Sequence, residues 1–162
     1  MLLYLIRHAE AVERGAPGAG RDFDRALTLR GHQQARALAE AFVRHNLAVD
    51  AVVASPLVRA HQTAVKLLGV WQPGWRPVTC DLLAPERLKP GKLSDFLAAV
   101  PGDAVAAVGH MPELGAYAEW LIGAAEGSIP LEKAAAACVE FAGDPAKAAG
   151  QLRWVVTPEW FM

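Results

Sequence analysis

The sequence predicts a single α/β domain over residues 1–162, a three-layer α/β/α arrangement around a mostly parallel central sheet. Three observations point there. Leu2–Ile6, Ala51–Ala54 and Ala104–Val108 are short, unbroken apolar runs, the pattern of strands covered on both faces. Stretches with helical periodicity or helix-starting signals alternate with them, as in sheets wrapped by helices on both sides. A chain of 162 residues, 53% hydrophobic, fills one substantial core and is too short for two ordinary ones.

Leu2–Ile6 is the first strand. Residues 11–27 are polar and punctuated by Gly15, Pro17, Gly18 and Gly20, which reads as a long loop. Thr28 is the N-cap of a helix running to about Asn46, in which Gly31, Ala35, Leu38 and Phe42 share one face. Ala51–Ala54 is the second strand. Ser55-Pro56 then reads as a cap with Pro at the first helical position, opening a helix to about Leu68. Residues 69–77 form a Trp-containing loop, and Pro77–Cys80 is a weaker strand. Residues 84–92 are a Pro/Gly-bounded loop before a helix over 92–100. Ala104–Val108 is the third clear strand, and Gly109-His110-Met111-Pro112 leads into a helix over 112–123. Leu131–Phe141 and Leu152–Thr157 read as strands, joined across Gly143-Asp144-Pro145 to Gly150. The run Ala134–Ala137 inside the first of these favours helix on propensity alone.

Composition narrows the function. Sixteen basic residues against seventeen acidic ones leave a net charge of −1, so no global field attracts nucleic acid. A local basic pocket for a small anion remains compatible with that balance. Cys80 and Cys138 lie apart in apolar contexts, outside any C-x-x-C, and read as buried free thiols. Arg7 interrupts the apolar N-terminus after six residues, unlike a secretory signal. No apolar run reaches the roughly 18 residues that span a membrane. These features predict a cytoplasmic protein that engages neither membrane nor nucleic acid. No H-E-x-x-H, cysteine cluster or EF-hand spacing occurs, so no metal is expected. Gly15–Gly20 lacks the Walker spacing and its Lys-Ser/Thr ending.

The residues at the carboxyl end of each apolar run carry the functional signal. Leu2–Ile6 ends in Arg7-His8. Ala51–Ala54 ends in Ser55-Pro56, with Arg59 one turn into the helix. Ala104–Val108 ends in Gly109-His110. Ligands of open α/β sheets bind beyond the carboxyl ends of parallel strands. If the three strands are adjacent and parallel, two arginines and two histidines meet at one edge, with no acidic residue evidently placed to neutralise them. Long helical side chains lean toward the helix N-terminus, which aims Arg59 at the strand ends. The helix N-terminus adds free N–H groups and partial positive charge. Such a pocket suits an anion, a phosphoryl group above all. Each residue also has a plain structural reading: Arg7 as a surface charge, His8 as a core histidine, His110 as a turn residue. The coincidence of basic groups at three separate strand ends favours the pocket. His32 and His45 lie among polar residues of the first helix, and His61 falls about 200° round its helix from Arg59.

Taken together, Leu5-Ile6-Arg7-His8-Ala9-Glu10-Ala11, Leu27-Thr28-Leu29-Arg30-Gly31, Ser55-Pro56-Leu57-Val58-Arg59-Ala60-His61-Gln62-Thr63 and Val108-Gly109-His110-Met111-Pro112 resemble the histidine phosphatase superfamily. Within it they most resemble the SixA-type phosphohistidine phosphatases. The motifs occur in family order from residue 2 to 115, and Leu152-Arg153-Trp154 with Pro158 resembles the C-terminal strand. The resemblance implies a phosphoglycerate-mutase-like fold with antiparallel strand pairing near the C-terminus. It implies His8 as a transiently phosphorylated nucleophile, and Arg7, Arg59 and His110 as the phosphate pocket. Two positions depart from the pattern. Ala9 stands where the family commonly has Gly, which predicts an ordinary φ there. Larger relatives carry an acidic proton donor after the third strand, where this chain offers only Asp81 and Glu86, neither in a clear motif.

The expected reaction is hydrolysis through a phosphoenzyme, without cofactor. Arg7 and Arg59 supply forked donors to the phosphoryl oxygens, and His110, protonated beside the dianion, supplies another. The expected substrate is phosphohistidine on a protein, admitted by an open pocket. One alternative is a phosphatase of a small phosphate ester. Another, of a different class, is a non-catalytic module that binds phosphate or a phosphoprotein.

Overall fold

A computed structural model describes all 162 residues. Six strands form one sheet: β1 (Leu2–Arg7), β2 (Ala51–Ala54), β3 (Val78–Thr79), β4 (Ala104–Gly109), β5 (Ala136–Glu140) and β6 (Gln151–Val156). Their order is β3-β2-β4-β1-β5-β6. The first four are parallel, and β5 and β6 are antiparallel additions on the β1 side. Four helices cover the sheet: α1 (Leu29–Arg44), α2 (Val58–Trp71), α3 (Pro90–Ala98) and α4 (Glu113–Ile122). This is the expected mostly parallel α/β fold with antiparallel strands at the C-terminal end.

Strand alternation explains why the central strands are apolar throughout. Leu3 and Leu5 point to one face, where they pack with Leu93 and Leu97 of α3 and Leu114, Tyr117 and Leu121 of α4. Tyr4 and Ile6 point to the other, against Leu38 and Phe42 of α1 and Ala64 and Leu67 of α2. Successive side chains of a strand face opposite ways, so burial of both faces demands an unbroken apolar run. The α1 face holds as the sequence predicts: Gly31, Ala35, Leu38 and Phe42 are all buried. Thr28 caps it, its side chain accepting from Gly31 N–H at 3.0 Å. Gly31 is required by packing, since an added Cβ would lie 1.9 Å from the Glu10 carbonyl oxygen.

Several boundaries differ. Ser55 does not cap α2. That helix begins at Val58 with Leu57 at its N-cap and continues to Trp71, whose indole donates to the Ala39 carbonyl at 3.0 Å. Residues 131–135 are not strand. The chain there turns under the end of β1, with Ala134 at φ 63° and its N–H directed to the carbonyls of Arg7 and His8. Ala136 and Ala137 are strand despite their helix propensity, because β1 and β6 supply ladder partners on both sides. The strand expected over Pro77–Cys80 shortens to Val78–Thr79, and the 92–100 helix begins earlier, at Pro90. Cys80 and Cys138 are free and buried.

Candidate active site

The carboxyl ends of β1, β4 and β2 lie side by side. Arg7 is in register with Gly109, and Ala54 with Val108. The backbone stitches the next residues together: His8 N–H donates to the Gly109 carbonyl at 3.0 Å, and Ser55 N–H to the Val108 carbonyl at 2.9 Å. His8, Ser55 and His110 therefore leave adjacent strands at the same level. The His8 and His110 rings are 5.0 Å apart. Arg59, the second residue of α2, reaches back to this edge, where its Nε lies 3.1 Å from His8 Nε2. Arg7 sits at the end of β1 and donates through an outer nitrogen to the Leu131 carbonyl at 2.9 Å. All four basic residues singled out in the sequence meet at one place.

The hydrogen bonds fix the state of His8. Its Nδ1 is 2.7 Å from the Ala9 carbonyl oxygen, which can only accept. Its Nε2 faces a guanidinium N–H, which can only donate. The proton is therefore on Nδ1 and the lone pair on Nε2. Burial pushes the His8 pKa down to about 4, helped by the positive charges of Arg59, Arg7 and Arg25 and opposed by the bond to Ala9. His8 rests as a neutral imidazole with Nε2 as the available base. Ala9 supports this geometry with an ordinary φ, as expected. Its N–H donates to Thr63 Oγ1 at 3.1 Å, and Thr63 in turn bonds the Arg59 carbonyl at 2.7 Å. That pair ties the His8 turn to α2.

His110 Nε2 is 2.8 Å from Ser55 Oγ. Its Nδ1 is buried without a protein partner, as is Arg7 Nε. Burial, then His8 and Arg59, push the His110 pKa to about 3. The resting residue is neutral, so a cationic His110 requires the charge of a bound anion. Unpartnered groups on Arg7 and His110 at one strand edge are what an incoming anion would satisfy.

Two expectations need correction. An acidic residue does neutralise the site: Asp22 pairs with Arg59, Oδ2 to the outer nitrogen at 2.9 Å. The same guanidinium donates to the Asp22 backbone carbonyl at 2.7 Å. The Arg59 fork, expected to face a phosphoryl group, is thus turned toward Asp22. Nor do the basic groups lie open at the surface, although Arg7 at the rim is only half-buried. His8, Arg59 and His110 are 6%, 4% and 3% exposed, with the short 3-10 turn Asp22–Asp24 seated against α2. Asp81 and Glu86 are exposed side chains that make no hydrogen bond to the four basic residues. Both line a neighbouring cavity of about 540 Å³, together with Phe23, Pro56, Arg87 and Lys89. Ser55, Thr63 and Asp22 are the site neighbours that sequence reasoning missed. A cap-like Ser-Pro pair hid the first, and the loop's length hid the last.

The two buried histidines carry a pH signature. Their folded pKa values lie well below the ordinary 6.5, so the unfolded chain binds more protons between that value and about 4. Stability is full above pH 6.5 and falls as pH drops through this window. For His8 the total is on the order of 3 kcal/mol. Thermal denaturation should show Tm dropping several degrees from pH 7 to pH 5. His8→Asn should reduce that dependence by about half, leaving the part due to His110, and an unchanged slope would show that His8 does not rest neutral in the fold.

Known proteins share the family and the fold of this chain. The family model of the histidine phosphatase superfamily (branch 1) matches residues 3–83. An uncharacterized protein of Picosynechococcus sp. is 35% identical over 125 residues, spanning 74% of this chain and 72% of that protein. Among solved structures, the putative phosphohistidine phosphatase SixA from Nakamurella multipartitia superposes with a TM-score of 0.77 at 29% identity, covering 97% of this chain and 95% of that one. The protein histidine phosphatase SixA in complex with tungstate shares the fold over the whole of both chains, with a TM-score of 0.83 at 24% identity. On the strength of the matched N-terminal half, which carries β1, α1, β2 and α2, the chain belongs to branch 1 of the histidine phosphatase superfamily.

Proposed function

We propose that this phosphatase hydrolyses phosphohistidine on a protein, through a phosphorylated His8. The carrying observation is the state of His8: neutral, protonated on Nδ1, with its Nε2 lone pair held beside a guanidinium. In the first step Nε2 attacks phosphorus in line. The N–P bond of the substrate breaks, and the substrate ring, its other nitrogen already protonated from solvent, keeps the electron pair and leaves as neutral imidazole. In the second step water attacks phospho-His8, releases inorganic phosphate and restores the imidazole. Arg7, Arg59 and His110 donate to the phosphoryl oxygens as charge shifts onto them.

The choice of leaving group rests on the absence of a proton donor at the site. An alkoxide leaving from a phosphomonoester is a strong base, and a general acid typically contributes about 10²–10⁴ to its departure. Asp22 is the carboxylate hydrogen-bonded to the basic cluster, whereas Glu132 acts on Arg7 only at longer range. Burial raises the Asp22 pKa, but hydrogen bonds from Arg25 and Arg59 outweigh that and hold it at about 2. Such a group is ionised at neutral pH and has no proton to give. Imidazole is a far better leaving group and needs no dedicated carboxylic acid.

The test is a single-turnover assay of a phosphohistidine protein, free phosphohistidine and a sugar phosphate side by side. The N–P substrates should react faster, with only slow turnover of activated aryl esters. Asp81→Asn and Glu86→Gln should each leave N–P hydrolysis within about tenfold of the parent, short of the loss expected for a working acid. A thousandfold loss in either variant, or faster hydrolysis of the sugar phosphate, would assign the enzyme to small phosphate esters. Tight phosphate binding without turnover of any substrate would leave a binding module.

A further inference from the structure

Asp22 does more than close a loop. Its segment is braced independently of the site: Arg25 donates to the Val12 carbonyl at 2.7 Å, Val12 N–H to the Ala26 carbonyl at 2.9 Å, and Ala11 bridges Leu27. The two carboxylate oxygens are divided. Oδ1 takes Arg25 at 3.0 Å and lies 3.5 Å from Arg14, within the loop. Oδ2 crosses to Arg59. With the Asp22 backbone carbonyl on one outer nitrogen and Oδ2 on the other, the guanidinium plane has one orientation left, the one that aims Nε–H at His8 Nε2. Three of its five N–H groups are thereby engaged, and only the contact to His8 must be exchanged when a phosphoryl group arrives.

We propose that Asp22 is a positioning residue, which orients Arg59 toward the nucleophile and shares the Arg59 charge with the incoming phosphoryl group. The proposal rests on the reading of His8 as nucleophile. It predicts a split between rate and affinity. Without the carboxylate, Arg59 swings free and its charge is no longer shared. Catalysis then loses its aim while a free anion meets a stronger positive field. A loop clip of purely structural value would give no such split, because its loss would loosen the pocket and weaken both.

The experiment measures two quantities on Asp22→Ala and Asp22→Asn: the single-turnover rate of His8 phosphorylation, and the affinity for inorganic phosphate by calorimetry. Asp22→Ala should lower the rate roughly 10–100-fold, the scale of a misoriented supporting group, with phosphate bound no more weakly than by the parent. Asp22→Asn keeps an acceptor for Arg59 and should fall between; it also serves if the alanine variant does not fold. On an Arg59→Ala background, Asp22→Ala should cause no further loss of rate, since partners in one network do not add and the unpaired carboxylate only repels the dianion. A rate within threefold of the parent, a parallel fall in rate and affinity, or a full effect without Arg59 would each overturn the proposal. If the parent turns over no phosphorylated substrate, the functional reading fails by itself. The phosphate affinities still decide on Asp22, weaker binding in both variants counting against it.

Discussion

His8→Ala is expected to reduce turnover to background on every phosphorylated substrate. No other nucleophile can take its place. Ser55, at the adjacent strand end, is fully buried, bonded to His110, and accepts from Leu57 N–H at 3.3 Å. Thr63 is occupied by Ala9 and the Arg59 carbonyl. His110 is 5.0 Å away between ring centres, with Nε2 bonded to Ser55 and the free Nδ1 left as a donor to the incoming anion. The parent enzyme, quenched during turnover, should carry phosphorus in an N–P bond, labile in acid and stable in base. Label that survives acid, or that maps to Ser55, would remove His8 from the role. The variant should still bind inorganic phosphate, because Arg7 and Arg59 keep their charges. That separates a lost nucleophile from a collapsed site. The rate should also hold level at neutral pH and drop only as His8 takes up a proton near pH 4.

Most of the fold was legible because burial on both faces leaves a strong local signature. β1, β2 and β4 are apolar at nearly every position, and α1 shows its buried stripe at helical spacing. The less legible elements owe their state to partners distant in sequence. Ala136 and Ala137 are extended only because β1 and β6 flank them. Val78–Thr79 is strand because it extends the sheet beyond β2, in a segment with no strong pattern of its own.

The basic half of the site was legible for the same local reason. Residues at strand ends inherit their position from the strand, so Arg7, His8 and His110 could be placed before any contact was known. Asp22 could not. It lies in a 17-residue loop whose path depends on the Arg25 and Arg14 contacts, the Ala11–Leu27 bridge and the packing of residues 22–24 against α2. Ser55 was visible but misassigned, since a Ser-Pro pair after a strand signals a helix cap. The strand-end geometry instead places its hydroxyl 2.8 Å from His110.

Arg59→Ala should lower the rate of His8 phosphorylation by roughly 10²–10³, the loss typical of removing one preorganised donor to a developing oxyanion. The structure gives reasons to expect the upper part of that range. Arg59 is 4% exposed, so its charge acts with little screening by water. Its removal also takes away the donor that faces His8 Nε2 and strips Asp22 of its partner in the site. The carboxylate keeps Arg25 at 3.0 Å, so it remains ionised beside the pocket and repels an incoming phosphoryl dianion. Arg59→Lys should recover less than about tenfold. A single ammonium cannot hold the Asp22 carbonyl, its carboxylate and His8 Nε2 at once, whereas the guanidinium does so with three separate nitrogens. Single-turnover rates of the two variants, with inorganic phosphate affinity measured alongside, check the argument. A loss under threefold in the alanine variant would place Arg59 outside the reaction. Full recovery by lysine would show that its charge alone matters and its geometry does not.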